Sequence, residues 1–308
     1  ERQHRIGLWT RNDEQRATLR RERQSVYLPE ATLPDAIDVV DDLPAALQGA
    51  DLVLIATPTA GLRETLGLVK NVNQQVPVVW ACKGFESDTG LLPHQVVGEV
   101  IGTEARCAAL SGPSFAMEVA RGQPTALTLA AHDEAFARRT AAELHQPLLR
   151  TYFSDDLPGV EVGGAVKNVM AIATGVCDGL SLGQNARAAL ITRGLAELSR
   201  LGVAMGGRTE TFMGLTGLGD LILTCTGDLS RNRKVGLELG RGDTLPAILK
   251  RLGHVAEGVN TAREVERRAA ELGVDMPITR AVCDVLFRGV SAREAVEQLL
   301  ARDPKAES

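Results

Sequence analysis

The sequence predicts an α/β protein with an N-terminally truncated, Rossmann-type doubly wound parallel sheet, followed by an all-α C-terminal domain. In the first half, short apolar runs typical of buried strands alternate with helical patterns, which indicates a mostly parallel sheet with helices on its faces. After Phe153 only helical patterns follow, separated by glycine-containing turns. The length of 308 residues suits two domains. We therefore predict a sheet domain over residues 1–155 and a helical domain over residues 156–308.

The elements of the sheet domain follow one another regularly. The run at 51–56 is continuously apolar, which is typical of a strand buried on both faces. Strands are predicted at 5–9, 37–40, 51–56, 76–82, 107–110, 125–130 and 148–153, and helices at 13–23, 43–48, 60–72, 91–101, 114–121 and 133–144.

The start of this sheet lacks one expected unit. A Rossmann-type sheet opens with a strand, a glycine-rich turn and a helix that cradles the pyrophosphate of a dinucleotide. The sequence begins with Glu rather than Met and shows no such turn. From the size of a βαβ unit we expect about 20–25 residues of it to precede residue 1. The strand at 5–9 would then be the second strand of the fold.

In the helical domain, two patterns predict where helices begin and two glycines predict where they end. Thr261-x-x-Glu264 and Ser291-x-x-Glu294 resemble capping boxes that open helices. Gly273 and Gly289 lie where helices should stop.

Composition excludes several classes of function. The net charge of −5 and the 3% aromatic content disfavour nucleic-acid binding. The longest apolar stretch contains a lysine and is predicted to be too short to span a bilayer, so no membrane partner is expected. The five cysteines are scattered, with no C-x-x-C pair. This pattern predicts free thiols in a reducing cytoplasm and no metal site.

The residue of greatest interest is Lys167, the one charge in the apolar helix predicted over Val162–Cys177. A lysine held away from water has a lowered pKa and can exchange a proton near neutrality. Gly163 and Gly164, about one turn earlier, would let a ligand or a second backbone approach. The alternative is a core helix whose single lysine points outward, and this stretch by itself does not decide between the two.

Two strand-to-helix loops carry residues suited to an anion. Cys82-Lys83-Gly84 follows a buried strand, at the edge of the sheet where ligands bind in such folds. Its lysine could meet a phosphate or hydroxyl, or could simply be exposed to solvent. In Ser111-Gly112-Pro113-Ser114, Ser114 is predicted to cap a helix whose free amides could face an anion.

Two further segments lie in the helical domain. Asp220 lies in the otherwise apolar stretch Leu215–Thr224, where a carboxylate needs a partner such as a lysine, or acts as a helix cap. Ser230-Arg231-Asn232-Arg233 offers arginine forks and neutral donors that suit phosphate oxygens, although a solvated basic turn would look the same.

In this order, the segments resemble a known family. The motifs are G-G-A-V-K-N at 163–168, W-A-C-K-G at 80–84, S-G-P-S-F-A at 111–116, G-L-G-D-L at 217–221, S-R-N-R at 230–233, N-A-R-A-A-L-I-T-R-G at 185–194 and D-M-P-I-T at 275–279. They are similar to those of the cytosolic NAD(P)-dependent glycerol-3-phosphate dehydrogenases of bacteria. The resemblance implies hydride transfer between a nicotinamide and a phosphorylated small molecule, interconverting dihydroxyacetone phosphate and sn-glycerol 3-phosphate for phospholipid synthesis.

The resemblance also implies roles for individual residues. Lys167 would transfer the proton at the C2 oxygen of the substrate, with Asp220 orienting it. The substrate-binding residues would be Lys83, Gly112, Ser114, Lys167, Asp220, Ser230, Arg231 and Asn232. The cofactor-binding residues would be Arg11, Lys83, Ala116, Arg231, Val255 and Glu257.

The cofactor could be NADP or NAD. Arg11 follows the strand at 5–9, where a 2′-phosphate would meet the edge of the sheet, whereas NAD-specific sites prefer an acid there. We therefore expect NADP to be accepted. A homodimer in the cytoplasm is the expected form of the protein.

Two alternatives remain at this point. A β-hydroxyacid dehydrogenase has the same two-domain build but usually places an asparagine four residues after its catalytic lysine. Here position 171 is Ala, and Asn168 adjoins the lysine instead. The second alternative is a non-catalytic fragment or binding module, because the glycine-rich loop is absent from the sequence.

Overall fold

The computed structural model describes residues 4–253 and 256–303. Over these residues the chain forms the strands β1 (Ile6–Leu8), β2 (Gln24–Ser25), β3 (Leu28–Thr32), β4 (Ile37–Val39), β5 (Val53–Ile55), β6 (Val78–Trp80), β7 (Cys107–Ser111), β8 (Thr125–Ala130) and β9 (Leu149–Ser154). The helices of the N-terminal half are α1 (Asp13–Glu22), α2 (Leu43–Leu47), α3 (Leu62–Val72), α4 (Pro93–Val100), α5 (Ala116–Ala120) and α6 (Glu134–Leu144).

The C-terminal half is helical. Its helices are α7 (Leu157–Gly179), α8 (Gly183–Ala204), α9 (Thr209–Phe212), α10 (Asp220–Thr226), α11 (Arg231–Gly240), α12 (Leu245–Leu252), α13 (Glu257–Glu271), α14 (Pro277–Phe287) and α15 (Ala292–Leu300). A π-helical turn over Leu215–Gly219 leads into α10. A Rossmann-like α/β domain followed by a helical domain is therefore confirmed. The exact boundary near residue 155 stays a prediction; β9 ends at Ser154 and α7 begins at Leu157.

The main sheet has the strand order β5-β6-β7-β8-β9, and a separate parallel pair joins β1 to β4. The pairs β5–β6, β6–β7 and β8–β9 are parallel, but β7 and β8 are antiparallel. The sheet is therefore mixed rather than fully parallel. The only helix between β7 and β8 is α5, whose five residues span about 7.5 Å. That is too short to carry the chain back along β7, which is about 17 Å long.

Two local predictions need correction, and one pair of strands was not predicted. The run at 51–56 is not buried on both faces, since Leu54 is 51% exposed on β5, an edge strand of its sheet. Residues 24–32 contain an unpredicted antiparallel pair, β2 with β3. Thr261 lies inside α13 and does not open it. Its hydroxyl faces the loop at Gly84, so tertiary packing rather than capping explains this polar residue.

The other helix signals are confirmed. Ser291 caps α15 by accepting a hydrogen bond from the backbone N–H of Glu294. Gly273 and Gly289 follow the last turns of α13 and α14 with positive φ angles of 66° and 72°, which glycine adopts without strain.

Helix α7 is the centre of the helical domain. It is the one helix in the described ranges that is long and apolar enough to cross a membrane, and 94% of its apolar window is buried inside the protein. The predicted shortness of this stretch was therefore wrong, because the helix extends to 23 residues. Helices α8, α10, α11, α13 and α14 cover it, so its apolar surface forms the core.

Glycines allow α7 and α11 to pack backbone against backbone. A Cβ atom on Gly175 of α7 would lie 2.1 Å from the carbonyl oxygen of Arg233, and one on Gly236 of α11 would lie 1.9 Å from that of Ile172. Neither distance is physically accessible, so any side chain here would force the helices apart. This close contact fixes the start of α11 relative to the middle of α7.

We expect Gly175→Ala to destabilise the protein by about 1–3 kcal/mol, because the added methyl group overpacks the α7–α11 contact. Gly67→Ala is the matched control, since a Cβ on this α3 glycine meets nothing within 4 Å. That change should stabilise by about 0.5–1 kcal/mol through reduced chain entropy. Urea denaturation of both variants measures the difference, and equal stability would contradict the packing argument.

Candidate active site

Lys167 is buried, with 6% of its surface exposed. Its Nζ donates a hydrogen bond to Oδ1 of Asp220 and another, 3.0 Å long, to Oγ1 of Thr224. The interpretation of α7 as a core helix with an outward-pointing lysine is therefore wrong. The lysine is directed from the helix core toward α10.

A second lysine shares the same carboxylate. Lys83 follows β6, and its Nζ donates to Oδ2 of Asp220 at 2.7 Å and to the carbonyl oxygen of Gly112 at 3.0 Å. Only 16% of the Lys83 side chain is exposed, so the alternative of a solvent-exposed lysine is also wrong. Asp220 is thus a carboxylate bridge between an ammonium of the sheet domain and one of the helical domain, and not a helix cap.

Glycines permit this convergence. A Cβ on Gly163 would lie 2.6 Å from the carbonyl oxygen of Thr216, so this position allows the π-helical turn before α10 to approach α7. A Cβ on Gly164 would lie 3.0 Å from Oγ of Ser111 and 3.4 Å from Cγ of Lys83. The expected close approach of a second backbone is therefore observed at Gly163, and a lysine side chain packs at Gly164.

The electrostatics favour a proton-exchanging amine. Burial lowers the pKa of Lys167 to about 8; the nearby Lys83 ammonium lowers it as well, while Asp220 opposes both. Burial alone would raise the pKa of Asp220, but the two lysines more than offset this, and the net shift is downward. The cluster therefore combines a stable carboxylate with an ammonium that can lose its proton near neutrality.

The loop after β7 differs from its prediction in one respect. The hydroxyl of Ser114 donates to the carbonyl oxygen of Gly112 at 3.1 Å, and Phe115 rather than Ser114 occupies the N-cap position of α5. The prediction that Ser114 caps the helix is wrong, because its side chain bonds back to Gly112 in the preceding turn instead. Gly112 has a φ angle of 135°, which the turn requires of a glycine. Ala116 lies exposed at the start of α5.

The S-R-N-R segment begins α11. Ser230 caps the helix by accepting from the backbone N–H of Arg233 at 3.2 Å, while Arg231 is exposed. The side chain of Asn232 is buried between helices. Its Nδ2 donates to Oδ1 of Asn168 at 3.0 Å, and its Oδ1 accepts from the backbone N–H of Gly258 at 3.0 Å. Arg231 is thus the freely accessible cation of this segment, and Asn232 links α7 to the start of α13.

The predicted cofactor residues are more dispersed. Burial raises the pKa of Glu257, while a hydrogen bond from the Thr59 backbone and the positive charge of Arg231 oppose this rise. Arg11 pairs with Glu64 of α3, and 65% of its side chain is exposed. Val255 lies outside the described residues.

Several residues of the site were given no role from the sequence. Thr224, four positions after Asp220 on one helix, could have been found because residues at this spacing share a helix face. Asn168 adjoins Lys167, but its contact with Asn232 depends on the packing of α7 against α11. Arg233 pairs with Asp178 at 2.7 Å, which no local pattern indicates.

Comparison with known proteins identifies the family. Residues 1–137 match the family model of the NAD-dependent glycerol-3-phosphate dehydrogenase N-terminus, and residues 156–297 match that of its C-terminus. The chain belongs to the NAD-dependent glycerol-3-phosphate dehydrogenase family. The glycerol-3-phosphate dehydrogenase [NAD(P)+] of Dechloromonas aromatica is 60% identical over 305 residues, which are 99% of this chain and 93% of the relative. That of Thiobacillus denitrificans is 57% identical over 306 residues, with the same coverage.

Solved structures agree. The glycerol-3-phosphate dehydrogenase of Coxiella burnetii is 38% identical, with a TM-score of 0.92, covering 97% of this chain and 92% of that one. The enzyme of Saccharomyces cerevisiae is 28% identical, with a TM-score of 0.81 and coverages of 96% and 90%. The family is one of oxidoreductases that use NAD or NADP, which decides against a β-hydroxyacid dehydrogenase.

The donor set fits a nicotinamide dinucleotide. The exposed guanidinium of Arg11 follows β1, and the Oγ1 of Thr57, after β5, is buried without a hydrogen-bond partner in the described ranges. Lys83 follows β6. Carboxyl ends of parallel strands are where such folds bind dinucleotides.

Asp220→Asn should destabilise the protein by about 3–5 kcal/mol at neutral pH, because it leaves two closely spaced ammonium groups without their shared counter-ion. The matched control is Asp228→Asn. The Asp228 side chain is 96% exposed and pairs with Arg233 at the surface, so its loss should cost less than about 1 kcal/mol. Chemical denaturation compares the two, and similar losses would show that Asp220 is not a buried bridge.

Proposed function

We propose that the protein interconverts dihydroxyacetone phosphate and sn-glycerol 3-phosphate, using NADPH or NADH. The observation that carries this proposal is the buried bridge from Lys167 through Asp220 to Lys83, at the junction of the sheet and the helical domain. It supplies a proton donor in a low-dielectric site. The bound nicotinamide, when present, supplies or accepts the hydride.

Lys167 acts as general acid in reduction. Its ammonium donates a proton to the C2 oxygen as negative charge develops there, and it stabilises that charge. In the reverse direction the neutral amine takes the proton from the hydroxyl. Asp220 holds the Nζ in place and keeps part of its population protonated, because the carboxylate opposes the effect of burial.

The substrate is a small phosphorylated molecule. Arg231, exposed at the start of α11, binds its phosphate with Ser230 and Asn232 beside it. Asn232 donates its second amide hydrogen to the phosphate, because its first amide hydrogen is donated to Asn168 and its Oδ1 accepts from the backbone N–H of Gly258. Lys83 stabilises the carbonyl end of the substrate.

The other contacts belong to the loop after β7 and to the cofactor. Gly112 and Ser114 form that side of the substrate pocket. Ala116, Val255 and Glu257 contact the cofactor, together with Lys83 and Arg231. Arg11 binds the 2′-phosphate of NADP after exchanging its partner Glu64 for the phosphate, which makes NADP an accepted cofactor.

The cellular context follows from the chemistry. The product is the backbone of glycerophospholipids, so we place the enzyme at the entry to phospholipid synthesis. All five cysteines, each in the described part of the chain, are unpaired, which supports a reducing cytoplasm. We propose a homodimer, without nucleic-acid or membrane partners.

Oxidation of NADPH by dihydroxyacetone phosphate tests the function. We expect activity in the wild type and a loss of kcat of about 10²-fold or more in Lys167→Ala, the order typical of a lost general acid. Lys70→Ala is the control, since this exposed lysine of α3 donates a hydrogen bond to the Val100 carbonyl oxygen, away from the Asp220 bridge. An inactive wild type would refute the function. A Lys167→Ala variant that retains the full kcat would refute the role of Lys167.

The pH dependence should reverse with the direction of reaction. Reduction needs the Lys167 ammonium, so kcat/KM should be flat at lower pH and fall as pH rises through about 8. Oxidation needs the neutral amine, so kcat/KM should rise through the same pH. Initial rates from pH 6 to 10 in both directions measure these limbs. Parallel profiles in the two directions would contradict acid–base exchange at Lys167.

A further inference from the structure

Glu161 is a buried carboxylate outside the lysine cluster. It lies on α7, six residues before Lys167, with 6% of its surface exposed. Its Oε1 accepts from Nε1 of Trp80 at 3.1 Å and from the backbone N–H of His94 at 2.9 Å, and its Oε2 pairs with Nδ1 of His94. Neither the lysine cluster nor the proposed reaction accounts for this group.

The two partners of Glu161 mark the two ends of one chain segment. Trp80 is the last residue of β6, and His94 is the second residue of α4. Between them, residues 81–92 form the loop that carries Lys83. One carboxylate on the helix of Lys167 therefore fixes both ends of the loop that carries the other lysine.

The position of Glu161 argues against a purely space-filling role. Burying a charge is costly unless it is paired and fully hydrogen-bonded, and an apolar residue would fill the same volume at less cost. The carboxylate instead satisfies an indole N–H and a backbone N–H in the first turn of α4, where negative charge is favourable. Unlike an apolar side chain, the Glu161 carboxylate fixes the direction of each of these hydrogen bonds.

We propose that Glu161 is a positioning residue for the proposed reaction, holding Lys83 against Asp220 by tying both ends of the loop 81–92 to α7. This inference rests on the function proposed above. Glu161 acts through the loop and does not touch the reacting atoms.

The consequence reaches Lys167 through charge. Among the residues that the structure describes, the ionisable groups coupled to Lys167 by charge are Asp220 and Cys225 from α10, Lys83 from the loop, and Glu257 from α13. Lys83 depresses the pKa of Lys167 and shares its counter-ion Asp220. If Lys83 moves away from Asp220, its repulsion of the Lys167 ammonium falls, and the Asp220 carboxylate pairs with Lys167 alone. The pKa of Lys167 then rises.

Glu161 also acts on two cysteine thiols. Burial raises the pKa values of Cys82 and Cys107, each to about 12; the negative charge of Glu257 adds to the shift of Cys82, and that of Glu161 adds to both. Burial is the main cause of both shifts. These thiols stay neutral across the range in which Lys167 titrates.

The test compares Glu161→Ala with Glu161→Gln. Alanine removes all three contacts, and we expect kcat to fall about tenfold or more, as for a displaced catalytic group. The alkaline limb of the reduction profile should move to higher pH. Glutamine retains Oε1 for Trp80 and the His94 backbone, and its amide can donate to the His94 ring. It should keep the wild-type limb and most of the activity.

Glu197→Ala is the matched control. Glu197 is also buried, and it accepts from the backbone N–H groups of Ile278 and Thr279 at the start of α14, without contacting the lysine cluster. Its loss should lower thermal stability but leave the alkaline limb in place. If Glu161→Ala and Glu197→Ala lose activity in proportion to stability, both with the wild-type limb, Glu161 is merely structural and the proposal is refuted.

A second readout needs no cofactor or turnover. In the protein alone, amine labelling of Lys83 followed by mass spectrometry should be several-fold faster in Glu161→Ala than in the wild type, because the lysine leaves Asp220. Unchanged labelling overturns the proposal even if the wild type proves inactive, so the two failures are distinguishable. If Glu161→Ala does not fold, Trp80→Phe replaces it, because this change removes one of the hydrogen bonds to Glu161. Labelling of Lys83 should then be faster in Trp80→Phe than in the wild type, and unchanged labelling refutes the proposal.

Discussion

The Asp220 carboxylate, shared by Lys83 and Lys167, is the interaction on which the site depends. Two ammonium groups cannot lie this close in a dry environment without a counter-ion between them. One comes from the sheet domain and the other from α7, so the carboxylate also determines how the two halves of the chain meet. The same arrangement leaves Lys167 with a pKa of about 8. Structural cohesion and proton exchange therefore have one physical origin.

In the helical domain, several neighbouring elements approach α7 closely. Gly163 and Gly164 admit the turn before α10 and the Lys83 side chain, and Gly175 admits α11. Each glycine replaces a side chain that would push a neighbouring element outward. The proposed proton donor on α7 and the proposed phosphate-binding residues on α11 thus keep a fixed separation, which a small substrate must match.

Much of the fold could be predicted because its signals are local. Apolar runs bounded by turns predicted every described strand except β2 and β3. Gly273 and Gly289 predicted where helices end, and Ser291 predicted where one begins, through backbone conformation and capping. The errors arose where tertiary packing overrides such signals. Thr261 has the spacing of a cap but faces the loop at Gly84, and β8 runs antiparallel to β7 because α5 is too short to return the chain.

The types and order of the residues were enough, without the structure, to predict the family, the two-domain build and a candidate catalytic lysine. The sequence could not say whether Lys167 pointed inward, because a lone lysine in an apolar helix fits either orientation. Only the tertiary structure placed Asp220 between Lys83 and Lys167, and Glu161 between Trp80 and His94. These contacts join residues 53 or more positions apart, and such pairings depend on how whole elements pack.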